Sequence, residues 1–344
     1  MTDSARRVDV QFGSGDGNCR AWLYLPAGAT SAEPAPIIVM AHGFAGIKEM
    51  RLDAFAERFV GQGYACLVFD YRHFGASTGE PRELVNVRRE LDDWKNAVAY
   101  ARHVPEADPA RVILWGTSFA GGHVIVTAAD DPDIAATIAQ CPFTDGLAAG
   151  VRMPFTTLLR LMRCAVQDSR AAKRGGDPVR VEVVGNPGDL AIMTALDSMP
   201  GFNAILEASG ISDWPSRVPA RVMFQIPRYA PGRRAKDIRT PILFCICDRD
   251  SVTPARKTDK YAAQAVLSET LHYDAGHFEI YVGDLFETVV CDQISFLAEH
   301  VPTRPLMDML ESHPKVTPGA GIAQSSATSV VSTRRGWPNR PVET

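Results

Sequence analysis

The chain has 344 residues, 46% of them hydrophobic and 22% charged, which excludes disorder of the whole chain and supplies enough apolar material for a large core. With 36 Lys and Arg against 40 Asp and Glu the formal charge is −4, so no general electrostatic attraction to nucleic acid or to an anionic membrane is expected. Its seven cysteines are odd in number and scattered, with no C-x-x-C pair, which argues against a disulfide framework or a zinc site.

Short β-branched runs alternate with longer segments of helical period, the pattern of βα units and a mainly parallel sheet. Eight strands are expected: Val8 to Phe12, Cys19 to Leu25, Pro36 to Ala41, Ala65 to Asp70, Arg111 to Trp115, Ile134 to Gln140, Pro241 to Cys247 and Glu269 to Tyr273. Between the third and fourth, Leu52, Phe55, Ala56, Phe59 and Val60 recur at helical spacing, so one face of a helix packs on the sheet. Leu91, Trp94, Val98 and Ala101 repeat the device before the fifth.

After the sixth strand the alternation stops and resumes only with the seventh. Residues 146–239 therefore read as an inserted cap, and 1–145 with 240–301 as the core. Within the insert an amphipathic helix carries Leu158, Leu159, Leu161 and Met162 and breaks at Gly175-Gly176-Asp177-Pro178. Val179 to Val184 alternates as a strand does, and Gly185-Asn186-Pro187-Gly188 turns it into a second short strand. The segment 302–344 is rich in Ser, Thr, Pro and Gly, and most of it is expected to be disordered. The amino terminus has no apolar stretch of signal-peptide length, and no uncharged run approaches a membrane span. A cytoplasmic protein is expected.

The fifth strand runs directly into Gly116-Thr117-Ser118-Phe119-Ala120-Gly121-Gly122 and then a helical stretch. A serine at such a strand-to-helix turn sits in strained backbone with its Oγ exposed above the sheet edge, and small neighbours two residues either side let the chain bend that tightly. Gly116 and Ala120 supply them, Ala standing where G-x-S-x-G has its last glycine. The plainer alternative is a capping serine at a glycine-rich helix start. A nucleophilic serine needs a histidine base, and the base a carboxylate. The seventh strand ends in Asp248-Arg249-Asp250-Ser251-Val252-Thr253-Pro254, and the eighth in Tyr273-Asp274-Ala275-Gly276-His277-Phe278, so both groups fall at the C-terminal sheet edge. No metal-ligand spacing and no phosphate-binding glycine loop accompanies them, so side chains alone must carry the chemistry, without metal or cofactor.

The order Ser118, Asp250, His277 resembles that of the α/β-hydrolase superfamily over about residues 8 to 300. Asp250-Ser-Val-Thr-Pro is similar to the family's acid motif and favours Asp250 over Asp248, with Asp145 a further alternative. Gly276-His277-Phe278 is similar to its histidine loop. More closely, His42-Gly43-Phe44-Ala45-Gly46-Ile47-Lys48-Glu49, Phe69-Asp70-Tyr71-Arg72 and Gly116-Thr-Ser-Phe-Ala-Gly-Gly resemble a branch of dienelactone-hydrolase-like, X-Pro-peptidase-like and fungal polyketide transferase or thiohydrolase proteins.

The resemblance implies an α/β-hydrolase fold with a mainly parallel eight-stranded sheet, helices on both faces and a cap after the sixth strand. It implies acyl transfer through Ser118, His277 and Asp250, with the backbone N–H groups of Phe119 and Phe44 as oxyanion hole. His42 is expected to be a structural hydrogen-bonder, and Asp70 to fix its own loop. An X-Pro-type peptidase, for which Glu182, Glu207 and Asp213 are the available cap carboxylates, and a catalytically silent ligand-binding protein are the alternatives.

The expected substrate is a small-molecule acyl ester or thioester. The insert holds 14 Lys and Arg against 8 Asp and Glu, a surplus that suits an anionic carrier or a substrate carboxylate. Five of the ten methionines lie there too, including Met193, and Met153, Met162, Phe155 and Phe202 are the expected pocket residues.

Overall fold

The computed structural model describes residues 5–150 and 153–303. Eight strands form one sheet: β1 (Arg6–Ser14), β2 (Gly17–Leu25), β3 (Ala35–Ala41), β4 (Ala65–Phe69), β5 (Ala107–Thr117), β6 (Ile134–Gln140), β10 (Ile242–Cys247) and β11 (Ser268–Tyr273). Their order across the sheet is β1-β2-β4-β3-β5-β6-β10-β11. β2 is antiparallel to both β1 and β4, and every pairing from β4 onward is parallel. All eight expected strands are present, β5 starting four residues earlier than its β-branched run.

Register assigns the helices to opposite faces. Phe69 pairs with Ala41, and Ala41 with Gly116, so these three share a side, while Met40 and Trp115 point to the other. On the first side the Phe69 ring meets Trp94 of α2 (Val87–Ala101) at 5.2 Å, and α2 packs against α3 (Phe119–Asp130). On the second the Trp115 ring meets Phe55 of α1 (Leu52–Val60) at 4.9 Å, and Phe55 meets Phe286 of α8 (Gly283–His300) at 4.8 Å. Trp94, Trp115, Phe55 and Phe69 are fully buried. Transfer of such side chains out of water, at about 25 cal/mol per Å² of apolar surface, holds the layers together. α7 (Ala255–Ala262) connects β10 to β11.

Between β6 and β10 the chain builds α4 (Gly146–Gly150), α5 (Phe155–Lys173), β7 (Arg180–Val184), β8 (Ala191–Met193), α6 (Ser198–Ala208) and β9 (Arg217–Pro219), then three short 3-10 turns ending at Asp237. The expected helix and both expected short strands are there, but the strands do not form a hairpin. β8 lies parallel to β7, and β7 takes its antiparallel partner from β9 instead. The loop closes on itself, the Asp189 carboxylate accepting from Asn186 N–H at 2.7 Å and the Asn186 carbonyl from Asp189 N–H at 3.0 Å. The chain thus doubles back before β8. Of the expected tail, 302–344, all but Pro302 and Thr303 lies outside the described residues. Among the described residues no helix is long and apolar enough to cross a membrane.

The insert is centred on Asp168 of α5, which is fully buried. Its carboxylate accepts from the backbone N–H of Val179 and of Arg221, each at 2.9 Å, and from Arg221 Nε at 2.7 Å. One side chain therefore ties helix, β7 and the first 3-10 turn. Removing it strands two half-buried backbone donors and an arginine, so Asp168→Ala should cost about 2–3 kcal/mol. Hydrogen exchange should show the loss confined to residues 155–221, with β3 and β5 retaining their protection.

Candidate active site

Ser118 stands between β5 and α3 with φ 55° and ψ −116°, a left-handed conformation for a residue with a side chain. Its N–H donates to the Gln140 carbonyl at 2.9 Å, and its carbonyl accepts from Phe143 N–H at 2.8 Å. Close packing explains the small residues around it. A Cβ on Gly116 would lie 2.3 Å from the Ala120 carbonyl oxygen, and one on Gly43 would lie 2.9 Å from Ser118 Cβ. The β3 loop therefore passes directly over the serine.

His277, after β11, and Asp250, after β10, converge on Ser118. The serine hydroxyl donates to His277 Nε2 at 3.0 Å, and His277 Nδ1 donates to Asp250 Oδ2 at 2.7 Å. Asp250 is itself held: Oδ1 accepts from Val252 N–H at 2.8 Å and Thr253 N–H at 2.6 Å, and Oδ2 from the Thr253 hydroxyl at 2.8 Å. Ser118, Asp250 and His277 are all buried. Burial pulls the His277 pKa down, but the Asp250 charge, the neighbouring Cys141 and the hydrogen bonds to both more than offset this, and the pKa rises well above 6.5.

The rival carboxylates are engaged elsewhere. Asp248 lies 2.7 Å from His272 Nδ1, and Asp145 accepts from the Tyr261 hydroxyl at 2.9 Å and lies 3.5 Å from Lys257. His123 is buried between Glu90 (2.9 Å) and Tyr229 (2.6 Å), His300 pairs with Glu269 at 2.6 Å, and His313 lies outside the described residues. His42 donates from Nδ1 to the Gly43 carbonyl at 3.0 Å, and burial lowers its pKa to about 4, so it is a neutral member of the loop. Asp70 does more than fix its own loop. It accepts from Ala76 N–H at 3.1 Å, and also from Lys48 N–H at 2.8 Å and Lys48 Nζ at 2.7 Å, clamping the β3 loop that carries Phe44. The N–H groups of Phe44 and Phe119 donate to none of the described residues, and their rings meet edge to face at 5.3 Å.

A narrow cleft opens beside Ser118 and His277. The core contributes Met50, Leu52, Phe278 and Tyr281 to its wall, and the insert Met193, Phe202 and Ile205. Of the four expected pocket residues, then, Phe202 lines the cleft. Met153, Phe155 and Met162 do not: Phe155 is 76% exposed, and the two methionines are partly buried against the core elsewhere. Composition identified an apolar insert without saying which face of each helix turns inward. Tyr281, Ile205 and Met50 escaped sequence reading, and Leu52 reads there only as packing on the sheet, because they lie on segments far apart in the chain or, for Met50, in the loop before α1. Among the described residues no group of three or more His, Cys, Asp or Glu is placed to hold a metal ion.

Comparison with known proteins agrees with this fold. The chain is 50% identical over 297 residues to the quorum-quenching protein AidA of Acinetobacter baumannii (strain MDR-ZJ06), covering 86% of this chain and 96% of that one. It is 29% identical over 308 residues to polyketide transferase af380 of Aspergillus fumigatus (86% and 99% covered) and 26% identical over 307 residues to thiohydrolase aneE of Aspergillus aculeatus (85% and 92%). Among solved structures, the α/β hydrolase GrgF from Penicillium sp. sh18 superposes with a TM-score of 0.73 at 26% identity, covering 86% of this chain and 99% of that one. Residues 38–286 match the alpha/beta hydrolase family, and the chain belongs to that family.

Proposed function

We propose that the protein is a serine hydrolase or acyltransferase that cleaves a small acyl ester or thioester through an acyl-Ser118 intermediate. The observation that carries this reading is the unbroken hydrogen-bond chain Ser118–His277–Asp250 beside an apolar cleft. In the first step Ser118 Oγ attacks the acyl carbonyl as its proton passes to His277 Nε2, and the imidazolium formed is stabilised by Asp250 at Nδ1. The backbone N–H groups of Phe44 and Phe119, free of protein acceptors among the described residues, receive the negative oxygen. Collapse breaks the acyl–oxygen or acyl–sulfur bond, and His277 returns the proton to the leaving group. A water or an alcohol, deprotonated by His277, then attacks the acyl-serine, the acyl–Oγ bond breaks, and His277 returns the proton to Ser118 Oγ as the product leaves.

Residues 146–239 act in this reading as a cap over the core formed by 1–145 and 240–301, and Met193, Phe202 and Ile205 take the acyl chain. The half-identical quorum-quenching relative favours a quorum signal as substrate, provided that it carries an ester, lactone or thioester, the groups a serine can open. The thiohydrolase and polyketide transferase relatives favour a thioester, free or carrier-bound. A peptidase fits less well. Glu182 is occupied by Arg217 at 2.6 Å and Ser216 at 2.7 Å, and neither Glu207 nor Asp213 lines the cleft to bind a peptide amino group. Seven unpaired cysteines suit a reducing compartment, the cytoplasm.

Ser118→Ala and His277→Ala should each lower turnover by about 10³-fold or more with little change in thermal unfolding. A fluorophosphonate probe should label the wild type and not Ser118→Ala. A folded wild type that resists the probe would instead favour a silent binding protein.

Because only the neutral imidazole can act as base, activity should fall as the pH drops through the raised His277 pKa. The acid limb of kcat/KM should therefore lie on the alkaline side of 6.5. Asp250→Asn removes the charge that raises it, so the limb of the residual activity should move to lower pH.

Medium or branched acyl thioesters should be processed better than acetyl esters. Phe202→Ala should reduce that preference by about tenfold, the worth of one large apolar contact. A strict preference for acetyl esters, indifferent to Phe202→Ala, would overturn the assignment of the acyl pocket.

A further inference from the structure

α5 carries two apolar faces, and only one has a partner. Thr157, Leu161, Ala165 and Asp168 are buried, and the helix packs there on the 3-10 turn Ala220–Phe224 and the small sheet. Phe155, Leu159, Met162 and Val166, spaced four, three and four apart, form a second stripe along the helix. Three of its four positions face solvent, Phe155 at 76%, Leu159 at 61% and Val166 at 38% exposure, while Met162 is half-buried.

The charges around it have one sign. Arg160, Arg163, Arg170, Lys173 and the C-capping Arg174 are all exposed, and none of the five forms an ion pair among the described residues. At 100° per residue Arg163 and Arg170 fall on the flank of the stripe. The helix's single carboxylate, Asp168, is buried and held by Arg221. The whole-chain charge of −4 conceals this, because the insert, with 14 Lys and Arg against 8 Asp and Glu, sits on a core that carries the opposite surplus.

We propose that α5 is an interfacial helix that seats the insert on an anionic lipid surface. An apolar stripe of Phe, Leu, Met and Val edged by unpaired arginines meets the two requirements of such binding, apolar area for the acyl boundary and cations for the headgroups. The charge asymmetry turns the insert, and not the core, toward a negative surface. A second copy is the poorer occupant, since apposed α5 helices would bring two sets of five cations together with no carboxylate to separate them. β8, whose Met193 lines the cleft, packs against α5, so the seat lies next to the site that would receive an apolar acyl chain.

The test is flotation of the full chain with vesicles, which needs no turnover and is therefore independent of the serine chemistry. The protein should float with vesicles of equal parts phosphatidylcholine and phosphatidylglycerol, should not float with phosphatidylcholine alone, and should be released as salt screens the charges. Leu159→Glu/Val166→Glu should weaken binding by about tenfold or more, while hydrolysis of a water-soluble ester and thermal unfolding stay as in the wild type. Arg163→Gln/Arg170→Gln, which leaves the apolar stripe intact, should weaken binding to anionic vesicles as well. Failure of the wild type to float with anionic vesicles, or undiminished flotation of both double variants, overturns the proposal. Sedimentation showing a dimer that Leu159→Glu/Val166→Glu dissociates, without vesicle binding, assigns the face to a second copy and overturns it equally.

Discussion

The backbone at Ser118 is the constraint on which the site depends. A non-glycine residue held at φ 55° costs about 1–3 kcal/mol and persists only where its surroundings fix it. Here the fixing groups lie at the end of β6: the Gln140 carbonyl accepts from Ser118, and Phe143 donates back to it. Cys141 between them is also at positive φ, 34°, and is tied onward. Its N–H donates to the Cys245 carbonyl at 2.8 Å, and its carbonyl accepts from the Thr253 hydroxyl at 3.2 Å, the same hydroxyl that donates to Asp250. The Ser118 turn and the Asp250 loop are thus two ends of one hydrogen-bonded path across β5, β6 and β10. Parallel register sets the distance between Ser118 and Asp250 before any side chain is chosen.

A second path braces the site from behind. Trp115 Nε1 donates to Gln293 Oε1 at 2.9 Å, Gln293 Nε2 to Gln140 Oε1 at 2.7 Å, and Gln140 Nε2 to Thr117 Oγ1 at 3.1 Å. Thr117 shares a further hydrogen bond with the Tyr281 hydroxyl. Both glutamines are fully buried, so an unmade bond anywhere in the ladder would cost the full desolvation of an amide. Satisfied throughout, it joins α8, β5 and β6 to Tyr281 and holds that ring in the wall of the cleft.

These paths explain which parts were legible in the sequence. β3, β4, β6, β10 and the second half of β5 were readable because parallel strands buried on both faces are near-continuous apolar runs, and Ser118, Asp250 and His277 because each follows a strand of the sheet. Asp250 and Asp248 look alike two residues apart. What separates them is the direction of the side chains, one toward His277 and the other toward His272. β9 escaped notice because Arg217-Val218-Pro219 is too short to show alternation and ends in a proline, a residue that cannot donate to a ladder. The parallel pairing of β8 was hidden for another reason: Gly185-Asn186-Pro187-Gly188 has the composition of a hairpin turn, and only Asp189 closing back on Asn186 makes it a doubled loop.

The division of labour between core and insert bears on why relatives with such different names share this fold. The hydrogen bonds named above for Ser118, His277 and Asp250 come from residues that follow β5, β6, β10 and β11. Among the described residues the insert adds to the cleft Met193, Phe202 and Ile205, three apolar side chains. Substitution in the insert can therefore reshape what the cleft admits while the reactive geometry stays as it is. A quorum-quenching protein, a thiohydrolase and a polyketide transferase can all be similar to this chain over most of their length without sharing a substrate. The physical question that separates them is posed by the few residues facing Phe278 from α6, where the Phe202 ring stands 6.2 Å from that of Phe278, next to the histidine.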